Sequence, residues 1–395
     1  MLDYETLRLV WWLLLGVLLI GFAVTDGFDL GAAILLPFVG RADSERRVVM
    51  NAIGPVWEGN QIWLILGGGA IFAAWPLLYA AAFSGFYLAM FVVLAALILR
   101  PVSFKFRSDV DDPRWRRFWD SAFFLSGFVP ALIFGVAVGN ALQGVPFRFD
   151  DQFLMTYEGS FFGLLNPFAL LCGLVSCAMI VMHGGIYLAL KADEPVAGRA
   201  AAYARRAALL FLVLFAAGGI YAWLAVKGYT ITGGALPDGP SNPLLKTVER
   251  SSGALLANFA HYRWMMAAPA LGFAGALAAI VLLGLKREGL ALIASGLAIT
   301  GVIATAGLSS FPFLLPSSLD PNASLTVWDA SSSRMTLLIM LAATIILLPI
   351  VLAYTAFVYR VLRGRVTKAY VEKTAQASTD AEGVLSCGIF PGFWG

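Results

Sequence analysis

Residues 8–37 read RLVWWLLLGVLLIGFAVTDGFDLGAAILLP, an apolar segment with two acidic residues in its second half. A helix of about 20 apolar residues crosses the hydrocarbon core of a bilayer, which is roughly 30 Å thick. The segment therefore predicts a transmembrane helix. Asp3 and Glu5 precede it, and Arg8 is the single basic residue near its start. Because a secretory signal has a basic start and a small-residue cleavage site, we expect this helix to be retained.

Segments of the same kind recur along the whole chain. Apolar residues make up 60% of the 395 positions and charged residues only 13%, whereas soluble domains are about 25% charged. Apolar surface on this scale must face lipid. We predict an all-α integral membrane protein with about nine transmembrane helices, near residues 8–37, 57–75, 77–100, 118–142, 161–190, 207–227, 264–285, 289–313 and 335–361. Residues 286–288 alone join the seventh and eighth spans, which predicts a tight helical hairpin.

The distribution of Lys and Arg predicts the orientation. If the N-terminus is outside, 20 of the 27 basic residues face the cytoplasm, in segments 41–47, 100–117, 191–206, 286–287 and 360–373. This bias agrees with the positive-inside rule. We therefore expect a single transmembrane domain over residues 1–373 and a polar cytoplasmic tail over residues 374–395. The basic residues form short clusters between apolar runs, so we expect a lipid bilayer and no nucleic acid as partner.

Acidic side chains inside the predicted spans are candidates for function, because charge is costly in a membrane. Asp26 and Asp29 lie three positions apart and share one face of the first helix. Glu58, with Asn60 beside it, enters the second helix from the same cytoplasmic side, at a similar depth. These acids predict a proton path in which burial favours protonation. The alternatives are a helix end that reaches the interface, or acids paired with Arg for packing.

Four further residues have a structural and a functional interpretation. Trp57 and Trp63 are either interfacial anchors or part of the site. Arg100 is either a cation that extends to the interface or a counter-ion for the buried acids. His183, the one histidine inside a span, is more readily a hydrogen-bonded packing residue than a haem ligand or proton carrier. Two histidines in the chain are too few for a multi-haem site, so we expect no metal in this chain.

Several motifs together resemble subunit II of the bacterial cytochrome bd ubiquinol oxidase family. The likeness extends over nearly the whole chain up to residue 373. The motifs that carry it are Gly21–Gly31, Pro55–Trp63, Ala73–Pro76, Tyr79–Tyr87, Gly139–Phe147, Leu165–Phe168, Phe311–Phe313 and Asn322–Asp329.

The resemblance implies a role in a terminal oxidase of the bacterial inner membrane. It implies two four-helix bundles plus one peripheral helix in this chain, and no catalytic residue. The partner, subunit I, would hold haem b558, haem b595 and haem d, oxidise ubiquinol at the outer side and reduce oxygen to water. The complex would take its protons from the cytoplasm. A small single-helix subunit and a structural ubiquinone in this subunit are further implications.

The resemblance also implies roles for individual residues. The family's proton route matches Asp29 and Glu58, although the best-known relatives have aspartate at the second position. Trp63 matches a residue at the mouth of a hydrophobic oxygen tunnel, for which a lipid-facing position is physically sensible. A supporting or counter-ion role is expected for Trp57, Arg100 and Asn60.

Two other functions are compatible with the same acids. A proton-coupled secondary transporter would use Asp26, Asp29 and Glu58 as coupling groups and would work without a haem partner. A purely structural scaffold would need the acids for assembly but not for turnover.

Overall fold

A computed structural model of the chain describes residues 2–150, 152–234, 236–367 and residue 369. The predicted tail, residues 374–395, lies outside the described residues. The helices are α1 (Tyr4–Val39), α2 (Asp43–Ile53), α3 (Trp57–Ala74), α4 (Pro76–Gly85), α5 (Tyr87–Phe106), α6 (Pro113–Gln143), α7 (Pro167–Lys191), α8 (Val196–Ala225), α9 (Ala257–His261), α10 (Ala267–Gly284), α11 (Glu288–Ser310) and α12 (Arg334–Val361).

Eight helices in the described part of the chain are long and apolar enough to cross a membrane. They are α1, α5, α6, α7, α8, α10 with the 3-10 turn before it, α11 and α12. The remaining predicted span, 57–75, is the 18-residue helix α3. Its first turns contain Glu58, Asn60 and Gln61, and these polar residues lower its hydropathy. The prediction of an all-α membrane protein is confirmed.

Several predicted helix boundaries are wrong. The span predicted at 77–100 consists of α4 and α5, because the helical backbone is interrupted at Phe86. Arg100 does not end a helix, since α5 continues through Pro101 to Phe106. The span predicted from residue 161 begins at Pro167, where the Asn166 side chain accepts a hydrogen bond from the backbone N–H of Ala169. Hydropathy marks the lipid-embedded part of a helix, whereas capping residues determine where the helix begins and ends.

Helix α2 was not predicted, because it is short and amphipathic. Its apolar face, which includes Val48, Val49 and Ile53, is buried. Glu45 in its first turn accepts hydrogen bonds from the backbone N–H groups of Arg41 and Ala42. Burial opposes ionisation of Glu45, but these bonds and an ion pair at 2.5 Å with Arg199 lower its pKa to about 2.

Glycines allow the closest helix contacts in the bundle. A Cβ atom on Gly31 of α1 would lie 2.2 Å from the Ile180 carbonyl oxygen of α7. A Cβ atom on Gly301 of α11 would lie 2.3 Å from the backbone nitrogen of Gly272 in α10. The predicted hairpin of the seventh and eighth spans is confirmed as α10 and α11.

Among the described residues, three two-stranded antiparallel sheets lie in connections on the predicted outer side. They pair β1 (Phe147–Phe149) with β2 (Met155–Tyr157), β3 (Lys227–Gly233) with β4 (Thr247–Ser252), and β5 (Phe313–Leu315) with β6 (Leu325–Thr326). The start of α1 is attached to these connections by Arg8, which is fully buried. Its Nε donates to Ser331 Oγ at 2.8 Å and its Nη1 to the Pro237 carbonyl at 2.5 Å.

Candidate proton-transfer site

Two fully buried carboxyl groups project from the second half of α1. Asp26 and Asp29 both have no exposed surface. Asp29 lies ten residues before Val39, the last residue of the helix, which corresponds to about 15 Å along the axis. In the predicted orientation, this position is in the cytoplasmic half of the membrane.

Asp26 is paired with a cation inside the bundle. Arg100 Nη1 lies 2.5 Å from Asp26 Oδ1, and Arg100 Nη2 lies 3.4 Å from Oδ2. Neither side chain is exposed, so the alternative in which Arg100 extends to the interface is wrong. Removing either partner of a buried pair of this geometry is costly, because it leaves an isolated charge in a low-dielectric environment.

Asp29 has a different set of partners. Asn60 of α3, which is 2% exposed, donates from Nδ2 to Asp29 Oδ2 at 2.8 Å. The other oxygen, Oδ1, is buried and has no hydrogen-bond partner among the described residues. Asp29 also forms none of the ion pairs found there. Its carboxyl group therefore has one amide donor and one oxygen that is open to a proton.

Two tyrosines that sequence reasoning missed complete this site. Tyr359 of α12 donates from its hydroxyl to Asn60 Oδ1 at 2.7 Å. Tyr187 of α7 stacks on Phe28 with ring centroids 3.9 Å apart, and its hydroxyl donates to the Ala52 carbonyl. A tyrosine near a helix end is typical of an interfacial belt, so its residue type alone gave no signal of a partner within the bundle.

The fold does not place the Glu58 side chain beside Asp29. Its side chain is exposed, so the prediction of a buried acid at this position is wrong for the chain alone. The reason is helical geometry: residues two apart do not share a face, so Asn60 points to α1 while Glu58 points away. Trp57 is partly buried, with its ring stacked on Phe104 at a centroid distance of 5.9 Å.

Trp63 does not face lipid, contrary to the expectation. Its side chain is 7% exposed and packs against α1 at Gly21. A Cβ atom on Gly21 would lie 2.6 Å from the indole ring. The absence of a side chain at Gly21 therefore provides the space that the tryptophan occupies.

His183 is held by hydrogen bonds at both ring nitrogens. Nε2 lies 2.9 Å from the Val24 carbonyl and Nδ1 lies 2.7 Å from Ser295 Oγ. Because a carbonyl only accepts, Nε2 carries the hydrogen in this contact. Both nitrogens are engaged, which fits the packing interpretation and leaves neither of them free for iron. The described residues also contain no group of three or more His, Cys, Asp or Glu that could hold a metal ion.

A network of ion pairs lies on the predicted cytoplasmic side. Asp120 contacts Arg46 and Arg107, each at 2.6 Å, and Arg107 also contacts Asp43 at 2.9 Å. Burial opposes the charge on Arg107, but Asp120 and Asp43 raise its pKa above the ordinary value. The network connects α2, the end of α5 and the first half of α6. Sequence reasoning missed it because the partners come from separate segments.

Comparisons with known proteins agree on one family. The family model described as cytochrome bd terminal oxidase subunit II matches residues 7–362. Cytochrome bd-I ubiquinol oxidase subunit 2 of Escherichia coli strain K12 is 49% identical over 377 residues, which are 95% of this chain and 100% of that protein. Cytochrome bd ubiquinol oxidase subunit 2 of Bacillus subtilis strain 168 is 31% identical over 360 residues, covering 91% of this chain and 96% of that one.

A solved structure has the same fold. A chain of the bd oxidase from Geobacillus thermodenitrificans aligns with a TM-score of 0.59 at 11% sequence identity. The match covers 91% of this chain and 99% of that chain. At this identity, the likeness concerns the fold alone.

Proposed function

The chain belongs to the cytochrome bd terminal oxidase subunit II family, and we propose that in this oxidase it carries protons from the cytoplasm toward the oxygen-reducing centre. The family explains why the chain contributes to an oxidoreductase without a catalytic residue of its own. A proton-coupled transporter has no support from the family match.

The observation that carries the proposal is the environment of Asp29. A carboxylate that is fully buried and lacks a paired cation is costly in a low-dielectric site. Asp29 therefore readily takes a proton on Oδ1, which has no other partner among the described residues. Asp26 is suited to a different role, because it forms a buried ion pair with Arg100. In this proposal Asp29 carries the proton and the Asp26–Arg100 pair provides a fixed dipole beside it.

The other site residues support this route in different ways. Asn60 orients the Asp29 carboxyl through its amide. Glu58, exposed at the start of α3, collects protons at the cytoplasmic side of the route. Trp57 packs the first turn of α3 against Phe104. Trp63 borders the oxygen path, since oxygen is apolar and the indole ring lies in an apolar part of the core.

We propose the partner and the cofactors by analogy with the family. We place haem b558, haem b595 and haem d in subunit I, where haem supplies electron transfer and oxygen binding. His183 supports this division, because neither of its nitrogens is free for iron. Ubiquinol is the electron donor that the name of the Escherichia coli relative indicates. A small single-helix subunit and a structural ubiquinone in this chain complete the proposed complex.

The location is a bacterial inner membrane, crossed several times by this chain. We propose that the N-terminus is outside and the C-terminus is in the cytoplasm. The basic side chains of the network around Arg46, Arg107 and Asp120 support this orientation, because Lys and Arg are enriched on the cytoplasmic side.

Oxygen consumption in the purified complex tests the route. At equal haem content, Asp29→Asn is expected to lower quinol-driven turnover by about 10²-fold or more, which is the contribution typical of positioned proton transfer. Glu58→Gln is expected to have a smaller effect, because the side chain is exposed and water substitutes for it. Glu288→Gln, at the start of α11 on the same side, serves as the control. Full activity in Asp29→Asn would leave the chain with a structural role only.

A further inference from the structure

Tyr359 makes a contact inside the bundle although it belongs to a largely exposed helix, α12. This helix is the most exposed of the candidate membrane helices, and its buried residues are Leu337 and Leu341 near its start. Tyr359, at the opposite end, nevertheless reaches the bundle and donates its hydroxyl to Asn60. The contact connects the last described transmembrane helix to the Asp29 site on the first.

We infer that Tyr359 is a positioning residue for proton transfer at Asp29, which acts by holding the Asn60 amide against the carboxyl group. The inference rests on the proposed function and extends it. The three side chains form a continuous series, in which Tyr359 Oη lies 2.7 Å from Asn60 Oδ1 and Asn60 Nδ2 lies 2.8 Å from Asp29 Oδ2.

The chemistry of the amide explains why a hydroxyl is needed at this position. An amide has an acceptor oxygen at one end and a donor nitrogen at the other, and a rotation of about 180° exchanges them. In the observed orientation, the nitrogen faces Asp29 and serves the ionised carboxylate. The same orientation also serves the acid whose proton is on Oδ1, whereas a proton that has passed to Oδ2 needs the reverse orientation, which presents the amide oxygen to that hydroxyl.

A tyrosine hydroxyl serves both orientations of Asn60. It donates to Oδ1 in the observed orientation and accepts from Nδ2 in the reverse one. Asn60 can therefore keep its hydrogen bonds whether the proton of Asp29 is on Oδ1 or on Oδ2. A phenyl ring serves neither orientation, so it leaves one end of a buried amide without a partner.

The other polar groups packed around Asp29 already have partners. Asp26 is paired with Arg100, and the Tyr187 hydroxyl donates to the Ala52 carbonyl. His183 is held by Val24 and Ser295. Among the described residues, the Asn60–Tyr359 pair is thus the hydrogen-bonded contact of Asp29 that can change as its proton moves between Oδ1 and Oδ2.

Tyr359 is also held in place by the residues around it. Its ring packs edge-to-face on Phe28, the neighbour of Asp29, at a centroid distance of 6.4 Å. Just beyond α12, Lys191 Nζ donates to the Leu362 carbonyl and the Val366 backbone N–H donates to the Lys191 carbonyl, both at 2.7 Å. These bonds attach the end of α12 to the end of α7. The hydroxyl is therefore fixed at the site rather than free in the interface.

The test compares two tyrosines of the same helix in the intact complex. Tyr359→Phe is expected to lower oxygen consumption about fivefold to tenfold at equal haem content, as for the loss of one or two hydrogen bonds. It is also expected to shift the infrared carboxyl band that Asp29→Asn removes. Tyr354→Phe, whose side chain is 68% exposed, is the matched control and should match wild type in both measurements.

The same Tyr359→Phe substitution, made in complexes that already carry Asn60→Leu, tests whether Tyr359 acts through Asn60. In Asn60→Leu complexes, Tyr359→Phe should cause no further loss of turnover, because the amide that it positions is gone. If Asp29→Asn is slow while Tyr359→Phe has the wild-type rate and band, this inference is wrong and the proposed route stands. If Asp29→Asn itself has the wild-type rate, the proposed route and this inference both fail.

Discussion

Asp26 and Asp29 illustrate how neighbouring residues of one type acquire different chemistry. Both are fully buried on α1, yet Arg100 pairs with the first and an amide contacts the second. In the proposed route the ion pair reserves Asp26 for a structural role, because loss of its charge would leave the buried guanidinium unpaired. Asp29 has no such constraint. At this scale, the partner of a carboxyl group decides whether it carries a proton.

The Asp26–Arg100 pair makes a testable contribution to stability. Arg100→Gln is expected to destabilise the folded chain by about 3–5 kcal/mol, because it leaves Asp26 as an uncompensated buried charge. Thermal denaturation of the purified complex measures this effect. Asp26→Asn together with Arg100→Gln should recover most of the loss. Arg360→Gln, at an exposed position of α12, is the control, and an Arg100→Gln complex as stable as this control would contradict the account.

The sequence allowed the acidic residues of the site to be predicted, but not their partners. Asp26 and Asp29 stand out because charge is rare inside an apolar segment. Arg100 was a candidate with two interpretations, and only the fold brings it within 2.5 Å of Asp26. Tyr359 lies 299 positions from Asn60, and no spacing rule relates positions so far apart. Glu58 was misplaced because its neighbour Asn60, two positions away, occupies the inward face.

At the scale of elements, close helix packing positions the site. Helices α1 and α7 approach each other at Gly31 and Gly184, where a Cβ atom on either residue would meet the backbone of the other helix. This approach places Phe28 against Tyr187. Glycines in membrane helices allow close contact with a neighbouring helix, and Gly31 makes such a contact with α7.

A pair of glycine substitutions on α1 tests this contact. Gly31→Ala is expected to destabilise the complex by about 1–3 kcal/mol, as for overpacked cores, because the carbonyl oxygen at 2.2 Å belongs to a helix backbone that yields little. Gly16→Ala is the control, since nothing lies within 4 Å of its added Cβ, and it should be neutral or slightly stabilising. The thermal midpoints of the two variants decide the matter. Equal midpoints would contradict the account, because they would mean that α1 and α7 can move apart at Gly31 with no loss of stability.

At the scale of the whole molecule, the apolar pattern was sufficient to predict the class of protein and the course of the chain. It could not predict α2 or the three small sheets, because these elements lie outside the apolar spans and depend on contacts between distant segments. The buried Arg8 is one such case, since its partners Ser331 and Pro237 come from two outer connections. In the proposed orientation, Asp29 lies in the cytoplasmic half of the membrane, and this position gives the proposed route its direction.

Side-specific proton uptake tests that direction and the central role of Asp29 together. Complexes are reconstituted into vesicles of known orientation, and a pH indicator is placed on one side of the membrane during quinol-driven oxygen reduction. We expect wild-type complexes to take protons from the side that carries residues 100–117, and Asp29→Asn complexes to take them up about 10²-fold more slowly. Uptake from the opposite side, or uptake by Asp29→Asn complexes at the wild-type rate, would contradict the account.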